Sequence, residues 1–232
     1  MEVARDIKNL FGNISGTYDL LNRVLSAGRD QVWRRKAVSH LPQWEDSKIL
    51  DLASGTLDMT LQYLKKGDGK VFAVDFSLPM LLMGRDKISP HIDQRLQLAC
   101  ASADQIPYSE HTFDGAMCAW GMRNFPDTFS SLKEIRRVLK PGGKLVVLEF
   151  FKPDNLFTKT FSMTYSKFVM PAIGKAISGN QEAYDYLQES IRGFWTRREY
   201  ENHLEVHGFE IETAQELSGG ISSLITATKH AA

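Results

Sequence analysis

Short, nearly continuous apolar runs alternate with helix-like segments through the middle of this chain, and no other feature of the sequence constrains the fold as strongly. The runs lie at 48–54, 71–76, 95–101, 113–120 and 144–150. Strands that helices bury on both faces have this composition, which is typical of a parallel sheet. Repeated strand–helix–strand units with right-handed crossovers therefore predict an open, doubly wound α/β sheet.

The C-terminal part of the chain follows a different pattern. A helix-like segment at 196–207 ends at Gly208, and two strand-like runs follow at 209–217 and 221–229. Only Ser218-Gly-Gly220 separates these runs, and such a close pair predicts an antiparallel hairpin. Together with the five earlier runs, the hairpin brings the predicted, mostly parallel sheet to seven strands.

Between the fourth and fifth runs, apolar residues recur at helical spacing after Asp127, which is the predicted N-cap. The predicted apolar face comprises Phe129, Leu132, Ile135 and Leu139. The segment Lys140-Pro-Gly-Gly143 is expected to end the helix, because proline cannot continue it and glycine tolerates the reversal of the chain.

Two regions lie outside the alternation of strands and helices. Region 151–195 contains no strand-like run and is interpreted as an inserted lid, and residues 1–40 are interpreted as a helical N-terminal cap. No internal repeat or low-complexity segment divides the chain. All of 1–232 is therefore predicted to form one domain.

Charge and composition narrow the class of protein. The 28 basic and 28 acidic residues cancel, which argues against a nucleic-acid partner and against a self-repelling disordered chain. The longest uncharged segment, 217–228, is too short for a membrane-spanning helix, which needs ~20 apolar residues, and the N-terminus has no signal-peptide pattern. Two cysteines, Cys100 and Cys118, are predicted to be buried free thiols, so a cytoplasmic location is expected.

The loop after the first run, 51–58, lies where open α/β sheets bind their ligands. Its single glycine, Gly55, has Asp51 and Asp58 on either side, so the loop lacks the G-x-G-x-x-G of pyrophosphate binding and suits a positively charged ligand. Asp75 ends the second predicted strand, where a carboxylate can bind ribose hydroxyls. S-adenosylmethionine fits these features better than NAD. Alternatively, Asp51 and Asp58 are helix-start carboxylates that interact only with the helix dipole.

Two smaller features leave alternatives open. Ser102 and the amide of Ala103 follow the third run and are candidates to contact an adenine edge, although Ser102 is equally well interpreted as a turn residue. His203 and His207 have a spacing that can bind a metal, but no third ligand is near in sequence. No metal is therefore expected, and His207 is interpreted as a helix-end residue before Gly208.

Four stretches resemble a known family: they lie at 18–33, 120–127, 137–149 and 184–191. In them the chain resembles the ubiquinone/menaquinone biosynthesis C-methyltransferases, which are class I, Rossmann-like, S-adenosylmethionine-dependent methyltransferases. Matching segments extend from about Phe11 to Lys229, and thus over nearly the whole chain.

The resemblance implies C-methylation of a polyprenylated quinol ring, either benzoquinol or naphthoquinol, with S-adenosylhomocysteine as the second product. It implies that Arg123 and Asn124 lie beside the ring, where Arg123 stabilises developing negative charge, and that Tyr18 acts as a lid over the methyl donor. The implied contacts of the methyl donor are Asp51, Gly55, Thr56, Asp75, Ser102, Ala103 and Ala119. Without the resemblance, Arg123 would be interpreted as an ion-pair partner of Asp127, and Asn124 as a turn residue.

The chain departs from the family pattern at a few positions. Leu57 stands where the family usually has Gly or Ala, and it is expected to crowd the methionine moiety or to push the loop outward. Asp30, Phe151 and Ser102 replace a His, a Ser and an Asp or Asn. These departures keep two alternatives open: a methyltransferase of the same fold that acts on another small molecule, and a non-catalytic S-adenosylmethionine-binding assembly subunit.

A polyprenyl quinol resides in the membrane, so its enzyme must reach the membrane surface. Segment 156–177 places aromatic residues among spaced lysines. It is interpreted either as a lid that dips into the headgroup boundary or as a helix pair that packs over the active site. The expected location is cytoplasmic and peripheral to the inner membrane, and a homodimer or a quinone-biosynthesis complex remains open.

Overall fold

The computed structural model describes Arg23, Ser26 and residues 28–154 and 181–231. Its strands are β1 (Lys48–Leu52), β2 (Lys70–Asp75), β3 (Leu96–Cys100), β4 (Phe113–Ala119), β5 (Leu139–Glu149), β6 (Phe209–Leu217) and β7 (Ser222–Lys229). They form a seven-stranded sheet in the order β3-β2-β1-β4-β5-β7-β6. Strands β1 to β5 pair in parallel, whereas β7 pairs antiparallel with both β5 and β6. The predicted sheet and its C-terminal hairpin are confirmed.

Helices connect these strands. They are α1 (Arg29–Val38), α2 (Asp58–Leu64), α3 (Leu78–Arg85), α4 (Pro90–Asp93), α5 (Thr128–Val138), α6 (Gln181–Gly193) and α7 (Arg197–Val206). A 3-10 turn, Met122–Asn124, follows β4.

Helices cover both faces of the sheet, as a doubly wound architecture requires. On one face, Leu132 of α5 and Tyr200 of α7 pack in a core cluster with Leu50 of β1. On the other face, Trp33 of α1 and Tyr63 of α2 pack in a second cluster. Burial of each large apolar side chain contributes about 1.5–3 kcal/mol relative to exposure, so the two clusters fix the helices against the sheet.

The helix between β4 and β5 begins where the sequence predicts and ends earlier. The side chain of Asp127 accepts hydrogen bonds from the backbone N–H groups of Phe129 and Ser130, so its N-cap role is confirmed. However, Leu139 pairs with Phe113 in the sheet and is fully buried. The prediction that Leu139 belongs to the helix is therefore wrong, and 140–143 lies within β5 rather than in a loop, because strand pairing and burial outweigh the helical spacing.

The two cysteines differ in exposure. Cys118 in the central strand β4 is buried, whereas Cys100 is exposed. The prediction that both are buried is wrong for Cys100, because it ends β3, which lies at the edge of the sheet.

Four predictions fall wholly or partly outside the described residues. Tyr18 and segment 156–177 lie outside them. Of the predicted cap, α1 shows that its last part is helical, and of the predicted lid, α6 shows that its C-terminal part is helical. In the part of the chain that the structure describes, no helix has the length and apolar character that a membrane span needs.

Candidate active site

The turns that follow β1 and β4 meet at the carboxyl edge of the sheet. A Cβ atom placed on Gly121 would lie 2.4 Å from the Cβ of Ala53, so only glycine permits this approach. Ala53 and Trp120 have positive φ angles of 50° and 56°, a conformation that side chains disfavour. Such strain concentrates at functional sites, and open α/β sheets bind ligands at this edge. The fold therefore places a candidate site here.

Asp51 of β1 is buried at this edge with one oxygen unsatisfied. Its Oδ2 accepts a hydrogen bond from the Thr60 hydroxyl at 2.5 Å. Its Oδ1 is buried and has no hydrogen-bond partner among the described residues. Burial raises the pKa of Asp51 to about 7, against the opposing effects of the Thr60 hydrogen bond and the charge of Arg34. An unpaired buried carboxylate oxygen costs free energy, so this position suits a ligand that brings a positively charged donor.

Asp75, the last residue of β2, holds the turn after β1 in place. Its two oxygens accept hydrogen bonds from the backbone N–H groups of Gly55 and Ser77, each at 2.8 Å. Burial raises the pKa of Asp75, and the N–H groups of Ser77 and Gly55 partly offset this effect. Each oxygen retains a lone pair for a further donor. Asp75 and Gly55, which the sequence singles out separately, are thus in direct contact.

Two serine hydroxyls that the sequence analysis does not single out belong to the same turns. Ser54 precedes Gly55, and Ser77 follows Asp75 by two residues. The Oγ atoms of both serines are buried, and neither has a hydrogen-bond partner within the described ranges. The ammonium and hydroxyl groups of S-adenosylmethionine could satisfy these atoms and Asp51 Oδ1, so the residues present fit this ligand. Their positions next to Gly55 and close to Asp75 in the sequence could have identified them as site residues.

The remaining predicted contacts of the methyl donor lie after β1, after β3 and at the last residue of β4. Thr56 and Ala103 are buried, whereas Ser102 and Ala119 are partly exposed. The Ser102 hydroxyl donates a hydrogen bond to the carboxylate of Asp104, as a turn residue does. An adenine contact by Ser102 and Ala103 stays a prediction. No sequence pattern indicated Asp104 as a site residue.

Arg123, in the 3-10 turn after β4, forms a buried ion pair. Its Nη1 is 2.6 Å from Oε1 of Glu149, and the two side chains are 5% and 0% exposed. Nη1 also donates to the carbonyl of Trp120 at 2.8 Å. The alternative of an ion pair with Asp127 is therefore wrong, because the carboxyl end of β5 brings Glu149 against the turn and Asp127 caps α5 instead.

Helix α6, from the predicted lid, packs on this turn. The hydroxyl of Tyr186 donates to the side-chain oxygen of Asn124 at 2.8 Å. Nε of Arg123 donates to the hydroxyl of Ser190 at 3.2 Å. The structure thus joins Arg123 and Asn124 to the lid region, and nothing in the sequence spacing indicated Tyr186 or Ser190 as their partners.

The described residues contain no group of three or more His, Cys, Asp or Glu side chains that could hold a metal ion. His207 is the C-cap residue of α7 before Gly208, so its interpretation as a helix-end residue is confirmed. The rings of His203 and His207 both pack against Phe129, with centroid distances of 4.9 and 5.5 Å.

Comparison with known proteins places this site in a family. The sequence profile of the ubiE/COQ5 methyltransferase family matches residues 1–229. The chain belongs to this family. The ubiquinone/menaquinone biosynthesis C-methyltransferase UbiE of Rickettsia felis is 39% identical over 229 residues, which are 96% of this chain and 92% of that protein.

Solved structures show the fold of the ubiE/COQ5 chain but do not by themselves decide its reaction. The [4+2]-cyclase SpnF matches with a TM-score of 0.69 and 16% identity over 87% of this chain and 81% of that chain. Geranyl diphosphate C-methyltransferase from Streptomyces coelicolor, solved with S-adenosyl-L-homocysteine, matches with a TM-score of 0.65 and 13% identity over 86% of this chain and 79% of that chain. A cyclase and a methyltransferase share this fold, so the fold alone does not determine the reaction, whereas the site and family membership bear on it.

Leu57, a departure from the ubiE/COQ5 pattern, packs against apolar neighbours. Its side chain is fully buried in a cluster with Ala73 and Leu81. A Cβ atom on Gly84 of α3 would be 2.5 Å from Cγ of Leu57, so Gly84 leaves the space that Leu57 fills. This packing argues against crowding of the methionine moiety by Leu57, but whether Leu57 crowds that moiety or pushes the loop outward stays a prediction. Leu57 instead introduces backbone strain, because it adopts a positive φ of 64° that is unfavourable for a residue with a side chain.

Of the three other departures, Ser102 is described above, and Asp30 and Phe151 serve local hydrogen bonding and packing. Asp30 is buried and accepts hydrogen bonds from the Ser26 hydroxyl at 3.0 Å and from the Gln31 amide at 2.9 Å. Phe151 stacks on Phe194 with ring centroids 5.8 Å apart. Neither substitution removes a polar group from the turns after β1 and β2.

Proposed function

We propose that this protein transfers a methyl group from S-adenosylmethionine to a ring carbon of a polyprenylated quinol in quinone biosynthesis. Membership of the ubiE/COQ5 methyltransferase family and the name of the relative from Rickettsia felis support this reaction. The structural observation that carries the proposal is the buried, unpaired Oδ1 of Asp51 beside the turn that Gly55 and Asp75 fix. This arrangement suits a ligand that carries a positive charge and a ribose.

In this proposal the carboxyl edge of the sheet binds the methyl donor. Asp51 accepts a hydrogen bond from the α-ammonium group of the methyl donor. Asp75 uses its remaining lone pairs to accept hydrogen bonds from the ribose hydroxyls of the donor. Ser102 and the amide of Ala103 contact the adenine. Gly55, Thr56 and Ala119 line the site, and Gly55 lets the backbone approach the ligand closely.

In the transfer, an electron-rich ring carbon bonds to the sulfonium methyl group in line with it while the bond between that methyl and sulfur breaks. S-adenosylhomocysteine leaves with the electron pair on sulfur, and the ring carbon loses its proton to water, which restores the aromatic quinol. Arg123 stabilises the negative charge of the quinol oxygen next to that carbon, because a guanidinium stays protonated at neutral pH. Asn124 positions the ring by hydrogen bonding. Fixing two reactants in line can contribute about 7–11 kcal/mol to the lowering of the barrier.

The lid and the membrane surface complete the proposal. Tyr18 covers the methyl donor, and segment 156–177 brings the site to the membrane, where the prenyl tail resides. The chain works as one domain that is peripheral to the cytoplasmic side of the membrane. Flotation with liposomes of neutral and anionic lipid tests this part: binding that anionic lipid strengthens supports it, and absence of binding to both contradicts it.

The reaction itself is tested by incubating the protein with methyl-labelled S-adenosylmethionine and with demethylated benzoquinol or naphthoquinol, followed by mass analysis. We expect one labelled methyl group on a ring carbon of at least one quinol. If S-adenosylhomocysteine binds but neither quinol is methylated, the quinol assignment is wrong. If S-adenosylhomocysteine does not bind, the methyltransferase assignment is wrong as well.

A further inference from the structure

Arg34 of α1 is a buried cation with an unsatisfied donor. Its side chain is only 7% exposed. Its Nε is buried and has no hydrogen-bond partner in the described part of the chain. The carboxylate of Asp30 lies 3.9 Å from this Nε, which is close enough for charge attraction but too far for a hydrogen bond. Asp30 also accepts hydrogen bonds from two other side chains.

The guanidinium of Arg34 lies at the same corner of the sheet as Asp51. Its central carbon is 4.5 Å from the ring centroid of Trp120, the residue that directly follows β4. Strand β4 is the parallel neighbour of β1, which carries Asp51. Asp51 accepts a hydrogen bond from the Thr60 hydroxyl of α2. Helix α1, which carries Arg34, covers the same face of the sheet as α2. The charge of Arg34 lowers the pKa of Asp51, so the two groups interact electrostatically.

Two groups of opposite charge, each with an unsatisfied polar atom, thus lie at the same corner of the sheet, and no hydrogen bond joins them within the described residues. A buried N–H and a buried carboxylate oxygen each lose free energy when they lack a partner. A single α-amino-acid group would satisfy both, because its ammonium donates and its carboxylate accepts. Arginine is the side chain best suited to a carboxylate, which it can bind through two parallel hydrogen bonds.

We propose that Arg34 binds the α-carboxylate of the methionine moiety of S-adenosylmethionine while Asp51 binds the α-ammonium group. Arg34 is therefore a further binding residue, and with Asp51 it selects a zwitterionic amino-acid end. The inference rests on the methyl-donor part of the proposed function and does not depend on the quinol.

The test compares S-adenosylmethionine with decarboxylated S-adenosylmethionine, which keeps the sulfonium and the ammonium but lacks the carboxylate. By calorimetry, the wild-type protein should bind the decarboxylated compound about tenfold more weakly or worse, which is the size expected for a lost hydrogen bond between charged groups. Arg34→Gln should weaken binding of S-adenosylmethionine by a similar factor and leave binding of the decarboxylated compound nearly unchanged. Arg34→Lys should fall between the wild type and Arg34→Gln.

Arg35→Gln is the matched control, because Arg35 is exposed on the same helix, and it should bind both compounds as the wild type does. Equal weakening of both ligands by Arg34→Gln would assign Arg34 a structural role and overturn the inference. If the wild-type protein bound both ligands with equal affinity, that result alone would overturn the inference. A wild-type protein that binds neither ligand would refute the proposed function itself.

Discussion

The backbone N–H of Gly55 donates a hydrogen bond to the carboxylate of Asp75 at 2.8 Å, and this bond joins the turn after β1 to the end of β2. The same carboxylate accepts the N–H of Ser77. Asp75 is therefore both a candidate ribose-binding residue and the hydrogen-bond acceptor that fixes the turn at Gly55. A substitution of Asp75 should weaken binding of the methyl donor both by removing an acceptor for the ribose and by releasing the turn.

Asp75→Ala should reduce the affinity for S-adenosylhomocysteine strongly, as measured by calorimetry, because it removes the ribose acceptor and releases the turn at Gly55. Asp75→Asn should lose less, since its amide retains one acceptor oxygen. Asp46→Asn is the control, because Asp46 is exposed. Unaltered binding by Asp75→Ala would refute the ribose assignment.

Arg123→Ala should sharply reduce turnover and leave the affinity for S-adenosylmethionine nearly unchanged. It should also reduce the free energy of unfolding by about 3–5 kcal/mol, because it leaves the buried carboxylate of Glu149 without its partner. These two effects must be separated, since a partly unfolded enzyme also loses turnover.

The double variant Arg123→Met with Glu149→Gln separates stability from catalysis. It removes both charges, so we expect urea unfolding to show that much of the stability returns, whereas turnover of the quinol stays low. If turnover returned together with stability, Arg123 would serve the fold rather than the reaction.

The affinity for the methyl donor should fall as the pH decreases below about 7, the raised pKa of Asp51 in the free protein. The bound ammonium group requires the ionised carboxylate, so below this pH a proton must first leave Asp51. The loss approaches about tenfold for each pH unit. Calorimetry from pH 5.5 to 8.5, chosen as a range of about 1.5 units on either side, measures it. Asp51→Asn should bind weakly, with a nearly flat profile over this range.

The titration of Asp51 affects the stability of the free protein in the direction opposite to its effect on ligand affinity. Burial raises the pKa of Asp51 from 3.8 in the unfolded chain to about 7 in the fold, so the native state holds more protons between these values. The contribution of Asp51 to the free energy of unfolding therefore decreases as the pH rises through this range. Thermal unfolding of the ligand-free protein should show this decrease relative to Asp51→Asn, and an identical pH dependence in the two proteins would contradict it.

Leu57→Gly should lower the stability of the protein without improving its binding of S-adenosylhomocysteine. The glycine relieves a positive φ that costs about 1–2 kcal/mol, but the lost burial of a leucine costs about 2–5 kcal/mol. Urea unfolding measures the net loss, and calorimetry should give an affinity within about twofold of the wild type. A large gain in affinity would mean that Leu57 obstructs the methyl donor after all.

The sequence by itself determined the architecture and the position of the candidate site. Apolar runs, the N-cap residue Asp127 and the Gly-containing turn of the hairpin act over a few residues, so they can be recognised without knowledge of the fold. The alternation of strands with helices then sets a parallel sheet, and the sheet places Asp51, Gly55 and Asp75 at its carboxyl edge.

Only the tertiary structure decided which side chains meet. Arg123 pairs with Glu149 rather than with the nearby Asp127, Leu57 packs against Gly84, and Arg34 lies over Trp120. These contacts join residues that are remote in sequence, and they depend on how helices pack on particular strands. Burial, and with it the pKa of Asp51 and the unpaired Nε of Arg34, arises from the same packing. Local sequence patterns therefore locate the site, whereas its chemistry comes from contacts that form only when the sheet and its helices assemble.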